Sequence, residues 1–129
     1  MKVLFIGGSG NISSAVSRLT IQKGFDLYLL NRGKSKIKIT GAKSIIADIN
    51  NREETVKALK GHTWDVVVNW IAFHPDGIKR DIELFTGNTK QYIFISSASV
   101  YQKPPIHPVI TESTPLKNPY WQYSRDKIA

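Results

Sequence analysis

The chain contains no cysteine. That excludes a disulfide framework and any thiolate zinc site. It suits a reducing compartment, and a cytoplasmic location is expected. No apolar run approaches the roughly 18 residues of a membrane span. The opening Met1-Lys2-Val3-Leu4-Phe5-Ile6 is too short for the apolar part of a signal peptide, and it runs into glycines, not into a small-residue cleavage site. Internal repeats and low-complexity segments are absent. His62, His74 and His107 are scattered without metal-ligand spacing, so no metal is expected. Acidic residues are scarce: 10 stand against 18 lysines and arginines, a formal charge of +8. Such an excess can attract nucleic acid, anionic lipid or phosphorylated small molecules. Its densest cluster, Arg32-Gly33-Lys34-Ser35-Lys36-Ile37-Lys38, lacks the interleaved aromatics of single-strand binders. Scattered surface lysine is the plainer reading of the charge.

What is present is an alternation. A length of 129 residues suits one domain able to bury a core without staples. Val3-Leu4-Phe5-Ile6 reads as a buried parallel strand ending in glycines. Ile12, Ala15, Val16 and Leu19 then follow helical spacing, with Gly24 as a stop. Phe25–Leu30 and Ser44–Ala47 read as the second and third strands. Asn50 is expected to cap a helix, with Glu53 in the capping-box position and Val56 and Leu59 facing inward. Val66-Val67-Val68 is a β-branched fourth strand. Ile78, Ile82 and Phe85 mark a further helix, and Tyr92–Ile95 a fifth strand. Strands alternating with helices predict βαβ units, an α/β fold with a doubly wound parallel sheet, and the strand order 3-2-1-4-5. Five prolines between Pro104 and Pro119 predict a loop over 102–119. Helical signals return at Tyr120–Ala129.

Two constellations carry chemistry. Gly7-Gly8-Ser9-Gly10-Asn11-Ile12-Ser13 lies between the first strand and the first helix. Glycines there allow a tight turn and a close approach of backbone to a pyrophosphate, which the helix start then attracts. Ser13 stands where a third glycine would allow close helix–strand packing, so slightly looser packing is expected. The second strand ends in Asn31-Arg32, where an acid would bind a ribose 2′-hydroxyl. An arginine can instead pair with a 2′-phosphate, with Lys34 and Ser35 near it, so NADP is preferred over NAD as cofactor. The alternative is that Arg32 points to solvent. Asp48 can accept a hydrogen bond from an adenine amino group, or simply close a turn.

The second constellation is Tyr123-Ser124-Arg125-Asp126-Lys127. Four-residue spacing puts a tyrosine and a lysine on one helix face. An ammonium beside a phenol favours the phenolate, which suits proton exchange near neutral pH. This motif follows Ile95-Ser96-Ser97-Ala98-Ser99-Val100-Tyr101, at a strand's carboxyl end, where open α/β sheets bind ligands. Ser97, Tyr123 and Lys127 would form a proton-transfer triad.

Taken together, these segments resemble the extended short-chain dehydrogenase/reductase superfamily, in its NAD-dependent epimerase/dehydratase group that includes UDP-galactose 4-epimerase. The resemblance rests on Gly-Gly-Ser-Gly-Asn-Ile at 7–12, Ala-Asp-Ile at 47–49, Asp-Val-Val-Val-Asn at 65–69, Ser-Ser-Ala-Ser-Val-Tyr at 96–101, and Asn-Pro-Tyr-Trp-Gln-Tyr-Ser-Arg-Asp-Lys at 118–127. It implies a Rossmann-like dinucleotide-binding core over residues 1–101, the 102–119 loop, and over 120–129 the start of the motif helix. It implies that Ser97, Tyr123 and Lys127 are catalytic, with the tyrosine as general acid/base and the lysine also on the nicotinamide ribose. It implies cofactor contacts from Gly7, Gly10, Asn11, Ile12, Asn31, Arg32, Asp48, Ile49 and, in the wall 69–72, Ala72. The expected activity is hydride and proton transfer on a nucleotide sugar or a similar alcohol or carbonyl. Ala98-Ser99 stand where family dehydratases carry an acidic pair, which argues against a sugar 4,6-dehydratase. Members of this size class run near 300 residues, so a truncated, inactive fragment is expected, with residues 102–129 mobile or docked in an unusual position. A homodimer through helices at 51–60 and 76–86 is a further expectation. The alternative is a non-enzymatic relative that binds RNA or senses NAD(P).

Overall fold

The structure is a computed structural model and describes residues 1–129. Five parallel strands form one sheet: β1 (Lys2–Ile6), β2 (Asp26–Asn31), β3 (Lys43–Ile46), β4 (Trp64–Asn69) and β5 (Thr89–Phe94). Their order is β3-β2-β1-β4-β5, as the alternation predicts. Four helices, α1 (Asn11–Gln22), α2 (Arg52–Leu59), α3 (Pro75–Phe85) and α4 (Gln122–Ile128), and a 3₁₀ turn at Ala98–Val100 complete the fold. No helix is long and apolar enough to cross a membrane.

The central strand is apolar on both sides because both sides are covered. Val3 and Phe5 join Leu27, Leu29 and Val68 in one core cluster. Leu4 and Ile6 join Leu30, Ala47, Val67 and Phe85 in the other. In-register pairing keeps like faces together: Val3 lies beside Leu27 and Leu4 beside Tyr28. The indole N–H of Trp70 is buried without a partner, one polar group the core leaves unmatched.

The helices depart from their apolar patterns. In α1 the buried residues are Ser13, Ser14 and Ser17, while Ile12 is 76% and Leu19 51% exposed. Small side chains let this helix sit close to the glycine turn, where hydroxyls satisfy the loop's backbone. Ser17 Oγ donates to the Gly8 carbonyl at 2.8 Å, and Ser13 Oγ accepts the Gly10 N–H at 2.9 Å. The looser packing expected of Ser13 is therefore not found; it is buried and helps close the turn. In α2 the cap is Asn51, not Asn50: its side chain accepts the Glu54 N–H at 3.2 Å. Asn50 is drawn away because its N–H binds Asp48 Oδ1 at 3.0 Å. The shift by one residue buries Thr55 and leaves Val56 exposed. In α3 Phe85 is buried as expected, but Ile82 is exposed and Asp81 is fully buried in its place.

Asp81 has partners for its charge. It accepts from Asn69 Nδ2, from Tyr92 OH at 2.6 Å, and from Arg80 Nε and Nη2 at 3.1 and 2.9 Å. Arg80 reaches on to Asn50 Oδ1 at 2.8 Å. This network ties the end of β4 and Tyr92 of β5 to the loop after β3, where Asn50 lines the cleft described below. Burial and the Asp81 carboxylate push the Tyr92 phenol well above its ordinary range.

The proline-rich segment is a loop whose two ends are tied together. Gln102 N–H donates to the Pro115 carbonyl at 2.8 Å, Lys103 N–H to Lys117 at 2.9 Å, and Lys117 N–H to Val100 at 2.9 Å. Beyond it α4 is docked, with Ser124 and Lys127 buried.

Candidate functional site

The site lies at the carboxyl ends of the strands, around the turn between β1 and α1. Gly7 and Gly8 have φ of +98° and +86°, a region that side-chain-bearing residues rarely adopt. A Cβ on Gly8 would come within 2.6 Å of Leu29 Cδ2, so the turn is pressed against the sheet. Gly10 is extended and ends the turn as the α1 N-cap. The first-turn N–H groups of α1, from Asn11 onward, have no intrahelical acceptor and point past the turn. Their positive end suits an anion.

A cleft of about 510 Å³ opens beside this turn. Of the sequence-predicted residues, Gly7, Asn31, Arg32, Asp48 and Ile49 line it. Ser9, Lys34, Ser35, Asn50, Ile71 and Phe73 line it too. The Asn31 side chain is committed to its own turn: Oδ1 accepts the Gly33 N–H at 2.8 Å. Arg32 is exposed and has no carboxylate partner. Asp48 is half-buried, and one carboxylate oxygen accepts from the Asn50 N–H. Ile49 is both core and cleft wall. Gly10, Asn11 and Ile12 stand at the helix start outside the cleft lining, with the Ile12 side chain turned to solvent.

The remaining wall is built from the β4 end. Asn69 is fully buried and its Oδ1 accepts the Ile71 N–H at 2.7 Å. That bond sets the path of residues 70–73. Ala72, buried, lines a second, smaller cleft of about 310 Å³ together with Phe73, His74, Phe94, Asp126 and Lys127. Lys127 Nζ donates to the Ala72 carbonyl at 2.5 Å and the Ile95 carbonyl at 2.9 Å. It lies 4.4 Å from the Phe94 ring centroid, 5.2 Å from Phe73 and 5.7 Å from Tyr123. An ammonium has three donors, so one remains for a ligand or for the tyrosine. Burial pushes the Lys127 ammonium below its ordinary range.

Tyr123 is half-buried, with its ring 6.1 Å from Phe73 and 4.8 Å from Trp121. His74 Nδ1 lies 3.1 Å from Asp126 Oδ2, a second tie between α4 and the start of α3. Ser97 caps the 3₁₀ turn, accepting the Ser99 N–H at 3.2 Å, and its hydroxyl lies 2.9 Å from Ser99 Oγ. Ser99 Oγ in turn accepts from Ser124 Oγ at 2.8 Å. Ser97 is thus linked through one hydroxyl to the residue beside Tyr123. Sequence reasoning missed Ser99, Ser124, Asn118 and Asp81. Only their polar character inside apolar or helical patterns could have marked them.

The residues fit a dinucleotide. The Gly8 turn leaves no room for a side chain, the helix start offers free donors, and the cleft joins this turn to Arg32 and Asp48. Where such a cofactor binds, Gly7–Gly10 and the α1 start would hold the pyrophosphate, while Lys127 would reach a ribose.

Comparison with known proteins accords with this geometry. A UDP-glucose 4-epimerase of Lactobacillus helveticus is 33% identical over an alignment of 148 positions, which takes in 99% of this chain and 44% of that protein. The structure of the UDP-Glc/GlcNAc 4-epimerase of Campylobacter jejuni superposes with a TM-score of 0.82 at 22% identity, over 98% of this chain and 46% of the other. The UDP-glucose 4-epimerase of Bifidobacterium longum, in complex with NAD+ and UDP, gives 0.77 at 23%, over 99% and 46%. The chain spans less than half the length of these relatives. Residues 3–129 match the model of the NAD dependent epimerase/dehydratase family. With that match over nearly its whole length, the chain belongs to the NAD-dependent epimerase/dehydratase family.

Proposed function

We propose that this chain is the dinucleotide-binding part of an enzyme that moves a hydride and a proton at an alcohol or carbonyl of a nucleotide sugar or similar substrate, with NADP preferred over NAD. The cleft shared by the Gly7 turn, Arg32 and Asp48 carries this reading. The bound cofactor supplies the hydride acceptor and donor. Asp48 and Ile49 hold the adenine end. Arg32, Lys34 and Ser35 face the ribose, and three donors there, with no acid at the β2 end, favour a 2′-phosphate.

The proton chemistry falls to α4 and the 3₁₀ turn. Ser97 hydrogen-bonds the substrate oxygen, and Tyr123 takes or gives the proton at that oxygen. Lys127, held by two carbonyls, presents its remaining N–H to the nicotinamide ribose or the Tyr123 hydroxyl. A positive charge there favours the phenolate during transfer.

Calorimetric titration with NADP and NAD tests the cofactor part. Wild type is expected to bind NADP the more tightly, and Arg32→Ser to lose about 1.5–3 kcal/mol of NADP affinity, the worth of a charged hydrogen bond, with NAD unchanged. Equal affinities in the wild type, or a preference for NAD, would refute it. Epimerisation of UDP-glucose by the enzyme of which this chain is the dinucleotide-binding part, abolished in Tyr123→Phe, tests the chemistry.

A further inference from the structure

The direction of the Ser97 O–H decides whether this residue gives or takes a hydrogen bond at a substrate oxygen, and a free O–H rotor can point anywhere its neighbours allow. Its neighbours here leave it little choice. Asn118 is buried, and both ends of its amide are fixed. Nδ2 lies 2.8 Å from the Ser99 carbonyl oxygen, which can only accept, and Oδ1 accepts the Tyr120 N–H at 3.1 Å. The second amino hydrogen therefore goes to the other polar atom in reach, Ser124 Oγ at 3.3 Å. Ser124 is fully buried and hands its own hydrogen to Ser99 Oγ at 2.8 Å. Ser99 Oγ, having accepted, lies 2.9 Å from Ser97 Oγ, the one further acceptor its hydroxyl reaches, and its hydrogen is assigned there. Ser97 Oγ also accepts the Ser99 N–H at 3.2 Å. A hydroxyl has two acceptor lone pairs and one hydrogen. Both lone pairs of Ser97 are thereby used.

We infer that Asn118, Ser124 and Ser99 form a one-way hydrogen-bond chain that leaves Ser97 able only to donate, aimed at a substrate oxygen and unable to act as a base. The three are positioning residues: none need touch substrate. Their polarity is set at the Asn118 amide, the one member that cannot reverse without breaking two bonds to backbone. Cooperative polarisation along the chain also sharpens the donor at its end. The inference rests on the proposed function only in assigning the acceptor as substrate.

Two measurements separate the inference from that assignment. Neutron diffraction on the perdeuterated wild-type protein should place the Ser99 deuterium on the line to Ser97 Oγ and the Ser97 deuterium away from Ser99. A Ser97 deuterium directed at Ser99 would overturn the chain, whatever the enzyme's substrate. In the active protein, Asn118→Asp reverses the polarity at its origin, because an ionised carboxylate accepts from Ser124 where the amide donated. The expected loss in kcat is on the order of 100-fold, comparable to losing an oxyanion donor, with KM within about twofold. Activity should recover in part as pH falls and the introduced carboxyl gains a proton to donate, a rise the wild type lacks. Ser99→Thr, which keeps the hydroxyl, should retain kcat within about threefold of wild type. A pH profile of Asn118→Asp parallel to wild type would refute the polarity argument. Failure of the enzyme that contains this chain to turn over UDP-sugars, beside the expected neutron result, would refute the proposed function and leave the hydrogen-bond chain standing.

Discussion

Replacing Asp81 by alanine should destabilise this fold strongly. The carboxylate is fully buried and takes four hydrogen bonds from Asn69, Tyr92 and Arg80. In Asp81→Ala the Tyr92 hydroxyl and an Asn69 N–H lose their acceptor. The Arg80 guanidinium, whose side chain is only 20% exposed, keeps just its bond to Asn50. Breaking a buried pair by removing one partner costs about 3–5 kcal/mol, because the partner's charge stays behind. Arg80 retains some contact with water, so the lower part of that range, about 3–4 kcal/mol, applies. Against a total stability on the order of 5–15 kcal/mol this is a large share. At about 4 °C per kcal/mol for a domain of this size, Tm should fall by roughly 12–16 °C. Asp81→Asn keeps the shape and one acceptor oxygen, and should lose about half as much. Urea unfolding followed by circular dichroism at neutral pH, with thermal melts beside it, measures both. A loss below about 1 kcal/mol in Asp81→Ala would refute the reasoning, since it would mean that the four bonds offset no real desolvation cost.

Gly8→Ala puts a side chain at φ +86° and a Cβ 2.6 Å from Leu29 Cδ2. The combined backbone and overpacking cost should be about 2–4 kcal/mol in the same unfolding assay. Tyr92 ionises above its ordinary range in the folded state, so the folded protein binds the extra proton above about pH 10. Its contribution is whole below that pH and is lost as pH rises, at up to about 1.4 kcal/mol per unit. Tyr92→Phe should flatten that alkaline decline of stability measured between about pH 9.5 and 11.5; an unchanged slope would count against the Asp81 contact.

The sheet was legible in the sequence because its signal is redundant. Val3–Ile6, Leu27–Leu30 and Val66–Val68 each carry enough adjacent apolar residues to require burial on two faces, and the helices between them require parallel pairing. The glycine turn was legible because a positive φ against a packed sheet admits little else. The helices were less so. Ile12, Leu19 and Ile82 belong to the apolar patterns that mark the helices, and Val56 is expected to face inward; all four are exposed. The faces that pack carry Ser13, Ser14, Ser17, Thr55 and Asp81 instead. A serine or aspartate buries at low cost only when its partner is supplied; Ser13 and Ser14 find theirs at the start of their own helix, while Gly8, Asp48, Asn69 and Tyr92 supply the others from elsewhere in the chain.

The same division holds at the site. The residue types at 97, 123 and 127, and the four-residue spacing of Tyr123 and Lys127 on one helix face, follow from the sequence alone. So do the glycine turn and the basic end of β2. Tertiary structure alone decided that Lys127 lies between two carbonyls of β-strand ends, that Ser97 is reached through Ser99 and Ser124, and that Asn118 orients them. Those bonds join residues up to 55 positions apart. A hydrogen bond needs both partners within about 3 Å and correctly directed. One-dimensional order specifies which groups exist, and only the folded chain specifies which of them meet.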